Sequence, residues 1–459
     1  MHIFDFDNSY ARLLPHMFTR QDPAKVPAPK LFALNEDLAR DLGGNIEALK
    51  SPEAAAIFAG NTIPDGAEPI AQAYGGHQFG QWNPGLGDGR AVLLGEVITP
   101  AGKRFDLQLK GSGRTPYSRA GDGKAWIGPV IREYIMSEAM HALGVPTTRA
   151  LAATTTGETV VREAALPGAV LTRVAQSHIR VGTFQLYAYH QDVNGLKALF
   201  DHTAERHFGG ETNPATVLRD MMTRQAKLVA QWIGLGFIHG VMNTDNMLIS
   251  GETIDYGPCA FMDAYHPHTV FSSIDHQRRY AYSNQPQIAV WNIAQFASAM
   301  IPLTPDQDAA IAEFTGIVNE FADLYQTEWR RVFAAKLGLK PNDASFDLTN
   351  RLLTMMAEVG ADFTNTFATL GQPFDHPDYA QWLKDWTAEN PDLDLAAKTN
   401  PQVIPRLHHI EAAIASAIYE DYGPFNALLA AATNPFTKND AYMSPPTETE
   451  RVRQTFCGT

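Results

Sequence analysis

Asn246 and Asp255 are the two side chains whose type and spacing point most directly to chemistry. Both lie in Gly236–Gly257, read GFIHGVMNTDNMLISGETIDYG. The pattern predicts a polar loop at Thr244-Asp245-Asn246, then a short apolar strand, Met247-Leu248-Ile249. A tight turn at Gly251 follows, and a second strand closes at Ile254-Asp255-Tyr256-Gly257. Such a hairpin brings Asn246 and Asp255 to one end. Two oxygen ligands on neighbouring loops suit a magnesium-bound nucleotide, because a hard cation takes oxygen donors and leaves further positions for phosphate and water. Asp245 adds a carboxylate beside them. A polar turn with a solvated aspartate is the competing reading of the same residues.

A second set could hold phosphate. Tyr74–Arg90 is dense in glycine, and Gly87, Gly89 and Arg90 end it. Glycines let backbone amides approach phosphate oxygens with no Cβ in the way. The spacing is not a Rossmann fingerprint, since Arg90 stands where the last glycine would be. No Walker A loop is present either: Gly123-Lys124 is preceded by Ser118 where glycine is needed and followed by Ala125. Two strands follow the glycines, Ala91–Val97 and Phe105–Lys110. In the second, Phe105, Leu107 and Leu109 share one face; Asp106, Gln108 and Lys110 share the other. Lys110, at the strand end, can reach phosphates.

Those residues need a scaffold. Gly128–Gly144 reads as a helix, with Pro129 in its first turn and Gly144 as its C-terminal cap. Glu133 lies early on this helix and could orient Lys110; Glu138 competes for that role. The intervening loop holds Arg114, Arg119, Asp122 and Gly123. Arg173, on an expected strand, and Arg180 are further phosphate forks. Taken singly, each arginine suits an exposed surface better than a phosphate site. From Thr216 the chain reads as helical, through Thr216–Ile233, Gln285–Leu303 and Asp306–Phe333. Residues 1–70 are expected to wrap a later unit, with Asn35 capping a short helix. Asp263, His266, His268 and His276 form a loose group that fits no metal spacing.

Composition narrows the class. The chain has 459 residues and a net charge of −14, which disfavours a general nucleic-acid binder. No run of about 18 apolar residues suggests a membrane span, and no signal peptide is read at the start. Two cysteines argue against a secreted disulfide scaffold. The expectation is a cytoplasmic enzyme.

The loop pair resembles the catalytic and metal-binding loops of protein kinases, with His239 and Asn246 at the kinase spacing and Asp255-Tyr256-Gly257 for Asp-Phe-Gly. One departure matters: the kinase base position falls on Val241. More specifically, the chain resembles the selenoprotein O family. The resemblance rests on YGGHQFGQWNPGLGDGRAVLLGE, DLQLKGSGRTPYSRAGDGKAWIGPVIREYIMSEAM and GFIHGVMNTDNMLISGETIDYGPCAFMD. It implies an α+β, bilobal, kinase-like fold. The expected division is an extension over 1–70, a nucleotide-binding lobe over 71–185 and a helical lobe over 186–459. It implies ATP bound in a flipped orientation and AMP transferred to protein hydroxyls, with magnesium, or manganese in its place, as the metal. By the same resemblance Gly87, Gly89 and Arg90 line the nucleotide loop, and Lys110, oriented by Glu133, holds phosphate. Asp122, Gly123, Arg173 and Arg180 pocket the far end of the triphosphate. Asp245 is the base, and Asn246 and Asp255 bind metal. It also suggests a regulatory disulfide between Cys259 and Cys457. The rivals are a γ-phosphate kinase, a nucleotide-binding scaffold, and a hydrolase built on the histidine group.

Overall fold

The computed structural model describes residues 1–456. Its centre is an antiparallel sheet of eight strands. In spatial order these are Phe18–Arg20, Ile70–Gln72, Ala91–Ile98, Arg104–Lys110, Ala165–Ala175, Arg149–Val161 and Lys30–Leu34; short Ala125–Trp126 pairs on Ala165–Ala175. Arg104–Lys110 is therefore an inner strand, with Lys110 opposite Ala91 on one side and Leu171 on the other.

The alternation in that strand separates two environments. Leu107 and Leu109 enter a hydrophobic cluster with Leu38, Leu42, Ile57 and Phe58. Those partners come from short helices over Glu36–Asp41, Ile46–Leu49 and Pro52–Phe58. Each begins where a polar side chain, Asn35, Asn45 or Ser51, accepts a backbone N–H and satisfies an orphan donor of the first turn. Residues 1–70 thus supply both sheet strands and the helices that cover one face. Asp106, Gln108 and Lys110 are on the other face, and all three are buried.

Helix Ile127–Ala142 packs against the sheet, and Gly144, just past its cap Leu143, has a φ of +75° that favours glycine. The remainder is mostly helical. Pro214–Leu235 starts with Asn213 as cap and stops at Gly236 in the left-handed region. Gln285–Met300 finishes in a 3-10 turn, Ile301–Leu303, and the expected helix Asp306–Phe333 is two, Gln307–Asn319 and Phe321–Lys336.

The expected hairpin over Met247–Gly257 does not form. Leu248 bridges to Arg180 and Thr253 to Thr147, while Phe237–Ile238 pairs with Ala260–Phe261. The cause is burial. Met247–Ile249 is interior, and its backbone is satisfied by the chain leaving the sheet: Val181 N–H donates to the Met247 carbonyl (2.9 Å) and Ile249 N–H to Ile179 (3.0 Å). Among the described residues no helix is long and apolar enough to cross a membrane.

Candidate active site

The sheet face carrying Lys110 opens into a cleft of about 1000 Å³. Lys110 and Arg173 line it from the sheet, Gly87, Gly89 and Arg90 from the loop before strand Ala91–Ile98, and Asp122 and Gly123 from the loop after Arg104–Lys110. Arg180, Asp245, Asn246 and Asp255 line it from segments beyond the sheet. Glu133 and Cys259 are not among the lining residues.

Asp255 is the hub. It accepts from Lys110 Nζ, from Arg173 Nη1 (2.9 Å) and from Arg180 Nη1 (3.2 Å). Burial pushes its carboxyl up, but Lys110, Arg173 and Arg180 together hold it well below the usual carboxylate range. Its φ of +63° is uncommon for a residue with a Cβ. Glu133 stands behind, accepting from Lys110 (2.6 Å) and Arg173 (3.1 Å). Glu138 is directed elsewhere, to Arg149 and Asn35.

Asp245 lies in the 3-10 turn Thr244–Asn246 and is only 8% exposed. Its Oδ1 has no hydrogen-bond partner, and Oδ2 meets only Gln78 Nε2 at 3.4 Å. Burial pushes its carboxyl up to about 6. Val241 also lines the cleft but has no group that takes a proton.

The carrying loops are clamped from several directions. His239 stacks on Trp232 and donates through Nε2 to the Ile254 carbonyl (2.8 Å), tying the Asp245 loop to the Asp255 loop. Gln285 accepts from His239 N–H and donates to the Phe237 carbonyl. Tyr256 is buried, with its hydroxyl on Thr147. The short pair Gly76–Gln78 and Gln81–Asn83 clasps the same loop: His77 N–H donates to Thr244 Oγ1 (2.7 Å) and Phe79 N–H to Asn243 Oδ1 (3.2 Å).

Two contributors lie outside the residues expected from the sequence. Asp88, between the two glycines, is buried; Oδ2 accepts from Gln72 N–H and Gln108, and Oδ1 has no partner. Arg180 Nη2 is 3.9 Å away, and the Arg180 guanidinium lies over the Tyr74 ring. Burial pushes the Asp88 carboxyl up to about 6. Arg162 grips Asp122 with two bonds, 2.8 and 2.9 Å. The run GLGDGR signals through its glycines, and the acid between them is the residue that such a reading passes over. Arg162 has no local signal.

Comparison with known proteins agrees in one direction. Residues 2–393 match the family model described as Protein adenylyltransferase SelO. The chain is 54% identical to the protein nucleotidyltransferase YdiU of Jannaschia sp., 55% to that of Roseobacter denitrificans and 54% to that of Ruegeria pomeroyi; 99% of each chain is covered. The chain belongs to the SelO family.

The donor set of this SelO-family chain fits a hard divalent cation. Asn246 Nδ2 donates to the Val241 carbonyl (2.9 Å), which leaves its Oδ1 as an acceptor, and Asp255 supplies carboxylate oxygen. The histidine group is differently engaged: Asp263 pairs with Arg406, and no cluster of three His, Cys, Asp or Glu residues suits a metal among the described residues. Arg119 lines the cleft, whereas Arg114 donates to the Arg119 carbonyl (2.8 Å) within its own loop. Cys259 is buried beside Tyr256, and its Sγ donates to the Tyr256 carbonyl (3.4 Å). Cys457 lies outside the described residues.

Proposed function

We propose that this cleft binds ATP with a divalent cation, magnesium or manganese, and transfers AMP to a hydroxyl of a protein in the cytoplasm. Nucleotidyl transfer to protein is the activity of the family. The assignment of roles rests on one observation above the others: a buried carboxylate oxygen without a partner, on Asp245, shares a cleft with the Lys110–Asp255–Arg173–Arg180 cluster.

In this reading Gly87, Gly89 and Arg90 receive the nucleotide. Lys110 is aimed by Glu133. Asp122, Gly123, Arg173 and Arg180 receive the β- and γ-phosphates, which in a flipped ATP are the leaving group. The cation, held by Asn246 and Asp255, neutralises phosphate charge when bound. Asp245 Oδ1 accepts the hydroxyl proton. The hydroxyl oxygen bonds to the α-phosphorus, the bond from that phosphorus to the β-bridging oxygen breaks, and pyrophosphate leaves. Attack at a phosphate needs alignment and charge neutralisation more than a strong base, so valine at 241 is no defect.

A kinase-like, bilobal architecture accords with a sheet that precedes a helical body. We assign 1–70 to an extension, 71–185 to the nucleotide lobe and 186–459 to the helical lobe. We also take Cys259 and Cys457 as a redox pair. The support is the tail: Thr455 Oγ1 donates to the carbonyl of Pro258 (2.6 Å), the residue before Cys259. Cys457→Ser should remove any reducible gel-mobility shift; a surviving shift would rule the pair out.

The main test uses ATP labelled separately at the α- and γ-phosphates. Label in protein from the α position alone is expected. Label from γ would make the chain a kinase, and no label from either would leave a nucleotide-binding scaffold.

A further inference from the structure

A short edge of backbone runs beside the cleft, immediately downstream of the Asp255 loop. Ile274 lines the cleft and is 51% exposed. Gly257 lines it too, and Pro258 follows. The backbone of Phe271–Ser273, directly before Ile274 in the chain, carries a bridge to a residue distant in sequence, which also bonds to Pro258. Thr455 N–H donates to the Phe271 carbonyl (2.8 Å), Ser273 N–H donates to the Thr455 carbonyl (3.0 Å), and the bridge is parallel.

The seat engages one side chain. Thr455 is 1% exposed, while Arg453, Gln454 and Phe456 around it are exposed. Main-chain pairing plus one hydroxyl, on the Pro258 carbonyl, accounts for the polar contacts of Thr455. This is how an extended peptide adds to an open strand edge: the backbone supplies affinity and one side-chain pocket supplies selection. Each such bond contributes little net free energy once its exchange with water is counted, so a one-residue seat is readily exchanged. Ser272 Oγ, in the middle of the edge, is buried and has no partner. A longer strand laid on this edge would have a polar group waiting there.

We propose that Phe271–Ser273 and the Pro258 carbonyl form the docking edge for the protein substrate. The occupant is an extended polypeptide segment carrying Ser or Thr at the Pro258 position. The chain's own tail holds the edge until substrate displaces it. Thr455 is not among the residues that line the cleft. The acceptor hydroxyl is therefore a different residue of the same segment, brought to Asp245 by the pairing. The inference rests on the protein-transfer reading above and adds to it where, and by what chemistry, the polypeptide is held.

The test uses the full chain under reducing conditions, so that no cysteine pairing retains the tail. Thr455→Pro removes the tail N–H that meets Phe271. Two fluorescent peptides with the sequence of residues 448–456 serve as probes, one unmodified and one N-methylated at the amide of Thr455. The unmodified peptide is expected to bind the Thr455→Pro chain saturably, at least tenfold tighter than it binds the unaltered chain. Methylation should weaken it at least tenfold, because the N–H to Phe271 is gone. Ser273→Pro should lose peptide binding and keep ATP binding. In the transfer assay, the unmodified peptide should reduce α-label entering lysate proteins without changing the KM for ATP. Equal binding of the two peptides, or no binding to Thr455→Pro, would overturn the docking edge. If no α-label enters protein even without peptide, the transfer reading fails, and the peptide-binding arm still decides the edge.

Discussion

Asp255 and Asp245 are close in sequence but opposite in state. Three cations satisfy Asp255, whereas Asp245 has an oxygen that nothing satisfies. The two should fail differently. Asp255→Asn removes the charge that the proposed cation site needs and leaves Lys110, Arg173 and Arg180 without their shared partner. Calorimetry with and without magnesium should show metal-dependent ATP affinity falling at least about 100-fold, on the scale of losing a charged ligand (roughly 3 kcal/mol). Asp245→Asn keeps shape and removes the proposed base. Its kcat should fall by about 10²–10⁴ while ATP affinity stays within a few-fold. An equal loss of both quantities would make Asp245 a binding residue. Asp88 extends the same logic. Its Oδ1 accepts no hydrogen bond and pairs with Arg180 at 3.9 Å, so Asp88→Asn should raise the KM for ATP by about tenfold in the native background. In an Arg180→Ala background the change should vanish, because neighbours that act through one another are not additive. Additive effects would separate them.

Elements with local instructions are legible in the sequence. The alternation of Phe105–Lys110 marks which side chains face the hydrophobic cluster. The Pro129 and Gly144 signals frame a helix observed at Ile127–Ala142, two residues short of the expected end. What is not legible depends on distant partners. Met247–Ile249 looks like a hairpin strand, but its backbone is taken up by Ile179 and Val181. Glu133 and Glu138 are equivalent by local pattern; the choice is made by Arg149, which arrives on another strand and claims Glu138. The clasp of His77 and Phe79 on the Asp245 loop spans the glycine run to the turn Thr244–Asn246, and no periodicity announces it. That clasp is tight at one point. A Cβ on Gly76 would lie 2.6 Å from Asp245 Oδ1. Gly76→Ala should therefore displace the carboxylate and lower kcat at least tenfold. The change is local, so the melting temperature should move by no more than the few degrees that about 1 kcal/mol represents. A fully active Gly76→Ala chain would show that the loop yields without consequence.

At the scale of the whole molecule, the helical body contains a charge that the cleft does not explain. Lys336 is 2% exposed, near the end of Phe321–Lys336, with its ammonium 4.3 Å from the Phe367 ring centroid and 5.5 Å from that of Phe363. Burial pulls its pKa down from 10.5 to about 7. Between those values the unfolded chain holds a proton that the folded chain lacks, so native stability rises with pH across that window. Below pH 7 the lysine is charged in both states and the full burial penalty applies; above pH 10.5 it is neutral in both and the penalty is gone. Each tenfold weakening of proton binding corresponds to about 1.4 kcal/mol, and the two rings return part of it, up to roughly 2 kcal/mol for a desolvated cation over an aromatic face. Lys336→Met keeps the length and removes the charge. It should stabilise the chain by roughly 1–3 kcal/mol at pH 6.5, with the advantage shrinking by pH 9.5. Transfer activity should be unchanged, since Lys336 does not line the cleft. Melting curves of both chains at the two pH values measure this directly. A gap that stayed constant, or widened, as pH rose would mean that the lysine enters the fold with its charge satisfied. The rings would then be full partners rather than partial compensation.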